Sequence, residues 1–238
     1  MSSQPVYLRV ADSLARDVAG RKPGTPVPSE NELAHAYAIS RLTARAALEE
    51  LQRRYLVRRS QGRRAFVAHR IDYRVGPADA PSWTRTVCNG GGEPRSETTA
   101  LRRLVPPERI RQGLGLERAV PAIFLARRRY VNDEPAAYAQ TWLAQDLVPD
   151  LDVALAGEGS LYGAFITTYG LRPERAYTRA EYVVAPASVA AKLGGDGRPM
   201  TFRLDGQTDS VRWKRPIEIT RSWLRADIFR VVFELERA

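Results

Sequence analysis

The sequence predicts an α+β chain in two parts, an N-terminal domain of short capped helices and a C-terminal antiparallel sheet domain. Three observations carry this reading. The first 56 residues set apolar side chains at three- and four-residue spacing between clear helix-start signals. From residue 98 onward, strand-like runs alternate with short helices, and connections as tight as Asn132-Asp133 and Ala226-Asp227 favour antiparallel pairing of neighbours. The charge is also uneven: residues 1–70 carry 13 basic against 6 acidic side chains, the remaining 168 carry 24 against 21. Between the parts, residues 69–82 lose periodicity and collect Gly76, Pro77 and Pro81. The expected division is residues 1–70, a linker over 71–82, and a second domain over 83–238.

Val6, Val10, Leu14 and Val18 recur every four residues, predicting an amphipathic helix over 6–19 that closes at Gly20. Pro23-Gly24 and Pro26 then break the chain. Ser29 followed by Glu32 is a capping box that starts a second helix. Ser40 caps a third, with Arg41, Thr43 and Arg45 in its first two turns. Arg41 and Arg45 are four apart and share a face, while Ala44, Ala47, Leu48 and Leu51 form a small apolar face suited to a core. A short helix, a turn and a helix with a basic, hydroxyl-bearing start match a helix-turn-helix whose second helix enters the major groove. Arginines at this spacing can equally be a solvated face. The segment after the third helix favours nucleic acid: residues 57–58 and 65–68 read as two strands, and 60–64 (SQGRR) as the turn between them. Such a hairpin is a wing in which Gly62 permits close approach to the backbone and Arg63 and Arg64 reach phosphates or a minor groove.

These residues carry a resemblance. The segments PVYLRVADSLARDVAG, PGTPVPSENELAHAYAISRLTARAALEELQRRYLV and QGRRAFV resemble the winged helix-turn-helix of the GntR family of bacterial transcription regulators, over roughly residues 5–68. The resemblance implies that Arg41, Thr43 and Arg45 contact the operator, that Gly62 is the wing glycine, and that Ser29, Glu30 and Ser40, in the matching PSE and SR, belong with the DNA-binding set. The family's wing commonly reads G-x-G-T-F; Arg64 and Ala65 replace its second Gly and its Thr.

In the second part the sequence predicts strands over 98–104, 122–131, 136–143, 178–184, 200–209, 216–225 and 229–235, and helices over 107–114, 161–168 and 187–193. The two-residue period of 122–131 puts Arg127 and Arg129 on one face with Ile123, Leu125 and Val131. Cations on an apolar face require either an anionic ligand or protein carboxylates. The segment Gly157-Glu158-Gly159-Ser160 is expected to open a helix, with Tyr162 in its first turn; it reads either as a phosphate or carboxylate site or as an ordinary N-cap. Trp83, Trp142, Trp213 and Trp223 are candidates for pocket walls or for core.

LRRLVPPERIRQGLGL, ARRRYVNDEPAAYAQTWL, GSLYGAF, APASVAAKLGG and PIEITRSWLRADIF, over roughly residues 80–236, resemble the UTRA ligand-binding domain, which has a chorismate-lyase-like fold and marks the HutC subfamily of GntR regulators. By that resemblance Arg127, Arg129, Ser160, Tyr162 and Glu218 match effector-site positions. Ala139 stands where many relatives carry a glutamate.

Cys88 is the only cysteine and His35 and His69 the only histidines, which excludes structural disulfides and a Cys/His zinc cluster. No secretion signal or membrane-length apolar run is read, so a soluble, cytoplasmic protein without metal or cofactor is expected. The resulting expectation is a homodimeric DNA-binding regulator, a repressor, reading an inverted-repeat operator in double-stranded DNA and released by a small anionic effector such as a sugar phosphate or carboxylate. A regulator without a small-molecule ligand is the alternative within this class. An enzyme of the lyase-like fold joined to a DNA-binding domain is the alternative outside it, and no nucleophile–base pair supports that one.

Overall fold

The structure, a computed structural model, describes residues 4–58, 64–76, 82–194 and 197–234. The chain divides into two compact units, Met1–Arg70 and Ile71–Ala238.

In the first unit, α1 (Val6–Ala19), α2 (Glu30–Ala36) and α3 (Arg41–Arg53) precede a short hairpin of β1 (Val57–Arg58) and β2 (Phe66–Val67). The predicted periodicity is what builds the core: Val10, Leu14 and Val18 of α1 pack with Leu33 of α2 and with Ala44, Ala47, Leu48 and Leu51 of α3. Both caps form as the sequence predicts. Ser29 Oγ accepts from the Glu32 N–H at 3.3 Å while the Glu32 carboxylate accepts from the Ser29 N–H at 2.7 Å. Ser40 Oγ accepts from the Thr43 N–H at 3.1 Å. The turn between the two helices reverses at Ala38, which takes the left-handed φ of 50° without being glycine. The strands pair Val57 with Val67 and Arg58 with Phe66, and Val27 donates its N–H to the Ala65 carbonyl, lacing the segment before α2 to the same hairpin. The wing tip, with Gly62 and Arg63, lies outside the described residues. Because Leu51 is fully buried in this small core, Leu51→Ala is expected to lower stability by about 2–5 kcal/mol, as urea unfolding followed by circular dichroism would show.

The second unit is built on a six-stranded antiparallel sheet of β4 (Pro94–Leu104), β5 (Ala122–Val131), β6 (Glu134–Leu143), β7 (Pro173–Val184), β8 (Met200–Ser210) and β9 (Arg215–Arg225), in the order β4-β5-β6-β9-β8-β7. One face carries α6 (Leu151–Glu158) and α7 (Leu161–Thr167), whose Leu151, Leu161 and Phe165 pack on Ile123, Leu125, Leu143 and Ile217. The other face carries α8 (Ala187–Leu193), packed on Ala126, Tyr138 and Trp223, and α5 (Glu108–Gly113), beside Trp142 and Ile219.

Two expectations are corrected here. Residues 71–75, assigned to the linker, form β3 (Ile71–Val75), which pairs in parallel with β10 (Phe229–Phe233). Ile71, Tyr73 and Phe229 are buried there with Trp83 and Val87 of α4 (Trp83–Asn89). The second unit therefore begins at Ile71, ahead of the predicted start at 83. The segment 157–160 does not open one helix. Gly157 and Glu158 end α6, Gly159 takes the left-handed φ of 64° that closes it, and Ser160 alone caps α7.

Candidate nucleic-acid interface and effector site

The start of α3 is set by its cap. Ser40 Oγ lies 2.8 Å from Thr43 Oγ1 as well as accepting the Thr43 N–H, so the threonine hydroxyl is held beside the first turn. Arg41 and Leu42 project from that turn, Leu42 being 73% exposed. Arg45 is held differently: its Nε and Nη2 each donate to the Glu30 carboxylate at 3.1 Å, a bidentate fork from α3 to the start of α2. That partner raises the Arg45 guanidinium above its ordinary value. The structure thus ties Glu30 to Arg45 and fixes the direction in which the arginine extends. A second tie runs from Arg64 Nη2 to Glu32 at 2.8 Å, joining the wing to the capping box. The Ser29 amide, the Ser29 hydroxyl and Arg64 hold the Glu32 carboxyl below the usual carboxylate range.

In the second unit β5 places Arg127 and Arg129 on the α6–α7 face, as its period requires. Arg127 is 4% exposed, and the Nε of each arginine is buried without a hydrogen-bond partner. Burial, with Arg129 beside it, pushes the Arg127 guanidinium down to about 9, against the pull of Glu218 and Tyr162; burial pushes Arg129 down as well. Trp83 lies under Arg129, with its ring centroid 5.5 Å from the guanidinium carbon.

On the same face Glu218 is buried and its Oε1 accepts from the Tyr162 hydroxyl at 2.6 Å and from Thr208 Oγ1 at 3.1 Å; the two hydroxyls are 2.8 Å apart. Burial and the adjacent Glu218 raise the Tyr162 phenol well above its usual value, so it stays a donor. One carboxylate, whose Oε1 already accepts from two hydroxyls, partly balances the buried guanidinium of Arg127 and the half-buried one of Arg129. The surplus is positive, which is what an anion would meet.

Of the five predicted effector residues, Arg127, Arg129, Tyr162 and Glu218 are joined electrostatically in this cluster. Ser160 Oγ caps α7 by accepting from the Gly163 N–H at 3.2 Å, so its hydroxyl does the ordinary task. Ala139 is buried beside Arg127 in the β5–β6 register and brings no polar group. Trp142 and Trp223 face the other side of the sheet, in the clusters of α5 and α8, and Trp213 is exposed in the turn before β9.

Sequence reasoning missed two residues of this face. Thr208 pairs with Glu218 across β8 and β9, and Arg175 pairs with Thr208 across β7 and β8. Arg175 Nη1 donates to Thr178 Oγ1 at 2.7 Å, while its Nε and Nη2 are buried without a partner. A separate cleft of about 320 Å³ opens on the opposite face, between α5 and Gln140, Trp142, Ile219 and Arg221, and contains none of the predicted effector residues. Its Arg221 is already paired with Asp205 at 2.5 Å. The unmatched charge therefore marks the α7 face as the stronger candidate.

A capped two-helix reader with its hairpin, in one chain with a sheet domain that buries surplus cationic charge, defines a DNA-binding transcription regulator with an appended sheet domain. Residues 6–67 match the bacterial regulatory proteins of the gntR family, and residues 89–230 match the UTRA domain. The chain belongs to the GntR family of transcription regulators and carries a UTRA domain. It is similar to the HTH-type transcriptional regulator GgaR of Escherichia coli K12, at 25% identity over 97% of this chain and 91% of GgaR. The mannosyl-D-glycerate transport/metabolism system repressor MngR of the same organism is 26% identical over 63% of each chain. The crystal structure of PhnF from Mycobacterium smegmatis superposes with a TM-score of 0.65 at 27% identity, covering 96% of this chain and all of that one. GgaR and MngR are regulators rather than enzymes, and so is this chain.

Proposed function

We propose that this regulator is a repressor that binds an inverted-repeat operator as a homodimer and leaves it when a small anionic metabolite, a sugar phosphate or a carboxylate, occupies the α7 face of the sheet domain, as a HutC-type member of its family would. The observation that carries the effector half is the pair of guanidiniums on β5, Arg127 buried and Arg129 half-buried, each with its Nε enclosed and without a hydrogen-bond partner, whose charge the single carboxylate of Glu218 does not match. The repressor half draws on the likeness to MngR, itself a repressor, and the anion on the chemistry of Arg127 and Arg129. Among the described residues no helix is long and apolar enough to cross a membrane, and we place the protein in the cytoplasm with its operator.

Homodimerisation follows from what one helix can read. A single recognition helix addresses only a few base pairs, so useful specificity calls for two, related by a two-fold axis that matches an inverted repeat. Release needs no contact between ligand and DNA. The ligand must only favour the dimer arrangement that mismatches the half-sites, and tenfold release requires about 1.4 kcal/mol of that preference. The test is fluorescence polarisation of the DNA upstream of the protein's own gene, titrated with protein and then with sugar phosphates and carboxylates. Specific binding reversed by one such anion is the expected result; binding that no anion reverses would sink the effector half.

The wing adds a sequence-independent contribution. Arg63 and Arg64 act on phosphates or groove width, so replacing both by alanine is expected to weaken specific and non-specific DNA alike. The salt dependence of binding should flatten by on the order of one to two units of log–log slope. An unchanged slope would remove both residues from the interface.

A further inference from the structure

We propose that Tyr73 of β3 belongs to the effector site as a specificity-determining residue: its hydroxyl meets a hydroxyl of the ligand beside the anionic group, so the site selects a hydroxylated anion over a bare one; this rests on the effector reading above. The α7 face of the sheet is covered by two separate apolar clusters. At one end of β5, Ile123 and Leu125 lie with Leu143 and Ile217 under α6 and α7. At the other end, Val131 lies with Ala137 and Leu224 under α4, β3 and β10. Arg127 and Arg129 fall between the two clusters. The register sets Arg127 beside Ala139 and Ala139 beside Ser222, small side chains that add little bulk to this part of the sheet. On the α7 side the Tyr162 hydroxyl is already engaged by Glu218 and Thr208. The other side is formed with β3.

The two-residue period of β3 buries Ile71 and Tyr73 and leaves Asp72 and Arg74 outside. That outer pair fixes the strand along its length: Asp72 accepts from Arg230 Nε of β10 at 2.8 Å, and Arg74 pairs with Glu234. The Tyr73 ring packs in the cluster of Trp83, Val87, Val131 and Phe229, and Trp83 is the residue whose ring carries the Arg129 guanidinium. Tyr73 also acts electrostatically across the gap. Burial lowers the Arg129 guanidinium and Tyr73 is the foremost group opposing it, while burial and Glu218 raise the Tyr162 phenol and Tyr73 adds to the rise. Tyr73 is 9% exposed, and its hydroxyl makes no hydrogen bond among the described residues. A phenol so placed ordinarily has a partner. The Trp83 Nε1 of the same cluster is likewise buried without one.

The missing partner has a definite chemistry. A phenol both donates and accepts, whereas a guanidinium only donates and an ionised phosphate or carboxylate oxygen only accepts. The guanidiniums lie on β5 and the phenol on β3, so an anion seated on Arg127 and Arg129 presents to Tyr73 the group next to its charge. A hydroxyl there can use both capacities of the phenol. An analogue without it leaves the phenol desolvated and unpaired, which is how a site rejects a ligand that lacks one oxygen. The ligand class is a polyol phosphate or a hydroxy acid.

Glycerol phosphate and propyl phosphate share chain length and phosphate and differ in their hydroxyls, so the pair isolates this contact. Titrated by calorimetry into the full-length wild type, glycerol phosphate is expected to bind at least about tenfold more tightly. Tyr73→Phe keeps the packed ring and should bring glycerol phosphate down to the level of propyl phosphate, whose own binding stays as it was. A residue with a packing role alone would weaken both or neither. Arg127→Ala with Arg129→Ala should instead lose both ligands. A readout that needs no variant is amide hydrogen exchange of β3 in the wild type, which glycerol phosphate should slow more than propyl phosphate at equal saturation. Equal binding of the two phosphates by the wild type, or a preference that survives Tyr73→Phe, overturns the role given to Tyr73 and leaves the effector reading standing. If neither phosphate binds, nor any sugar phosphate or carboxylate in the polarisation titration, the effector reading fails and the role of Tyr73 with it.

Discussion

Replacing Arg127 and Arg129 together by alanine is expected to leave operator affinity near that of the wild type and to make the complex insensitive to its inducer. Arg127 is buried and Arg129 half-buried with its Nε enclosed, and the carboxylate that attracts them, Glu218, is already hydrogen-bonded to Tyr162 and Thr208. An anion entering this face gains two charge-assisted partners whose desolvation the fold has already met. Without the arginines that gain vanishes, and with it the preference of the ligand for one arrangement of the dimer. Reciprocity supplies a second measurement: operator DNA must weaken anion binding to the wild type by the same factor by which the anion weakens DNA binding. A third concerns stability. Because burial lowers the guanidinium of Arg127 to about 9, the unfolded chain holds that proton more tightly than the folded one. The charge therefore opposes folding at neutral pH, and the opposition is relieved as pH rises through about 9 toward the ordinary arginine value. A bound anion should relieve it at neutral pH, raising the melting temperature of the wild type and not of the double variant. Release of the double variant at the wild-type inducer concentration would place the pocket elsewhere, although the regulator assignment would survive.

How far the chain could be read in advance depended on how local each signal was. The caps at Ser29 and Ser40 are contacts over three residues, and both form where the sequence sets them. Strand β5 keeps its predicted bounds because local signals close it at both ends, Pro121 before it and the two-residue Asn132-Asp133 turn after it. By contrast β3 has a clear alternation in Ile71, Tyr73 and Val75, but its partner β10 is over 150 residues away and the Gly and Pro just after it suggested a linker. Helix α4 escaped because Trp83, Thr84, Thr86 and Val87 are residues that favour strands, and only the Ser82 cap argues otherwise. Within the site, Arg175 was hidden by the bulge at the start of β7. Alternation counted back from Arg179 and Tyr177 assigns it to the face that carries α5 and α8, whereas the extra residue turns it toward Thr208. Glu158 and Ser160 read as one helix start because a glycine precedes each; the left-handed Gly159 instead separates two helices.

Arg45→Ala is expected to abolish specific operator binding while leaving the fold intact. Loss of a bidentate arginine contact to guanine costs about 1–3 kcal/mol of discrimination at each half-site, and a dimer loses it twice. The structural cost is small by comparison. Alanine favours the helix, and the bond to Glu30 is a half-exposed ion pair of the kind that contributes at most about 1 kcal/mol. The same bond separates two roles that a single substitution would blur. If Glu30 only holds Arg45 ready, Glu30→Ala should weaken specific binding modestly and change non-specific binding little. If instead the carboxylate competes with guanine for the guanidinium, Glu30→Ala should strengthen binding to operator and non-operator DNA alike, since it also removes a negative charge from the surface that meets phosphate. Titrating operator and scrambled DNA with wild type, Arg45→Ala, Glu30→Ala and the double variant measures both terms in one cycle. An Arg45→Ala protein with unchanged circular dichroism and wild-type operator affinity would show that α3 does not read the operator through this residue, and the orientation given to the helix start by Ser40 and Glu30 would have to serve something else.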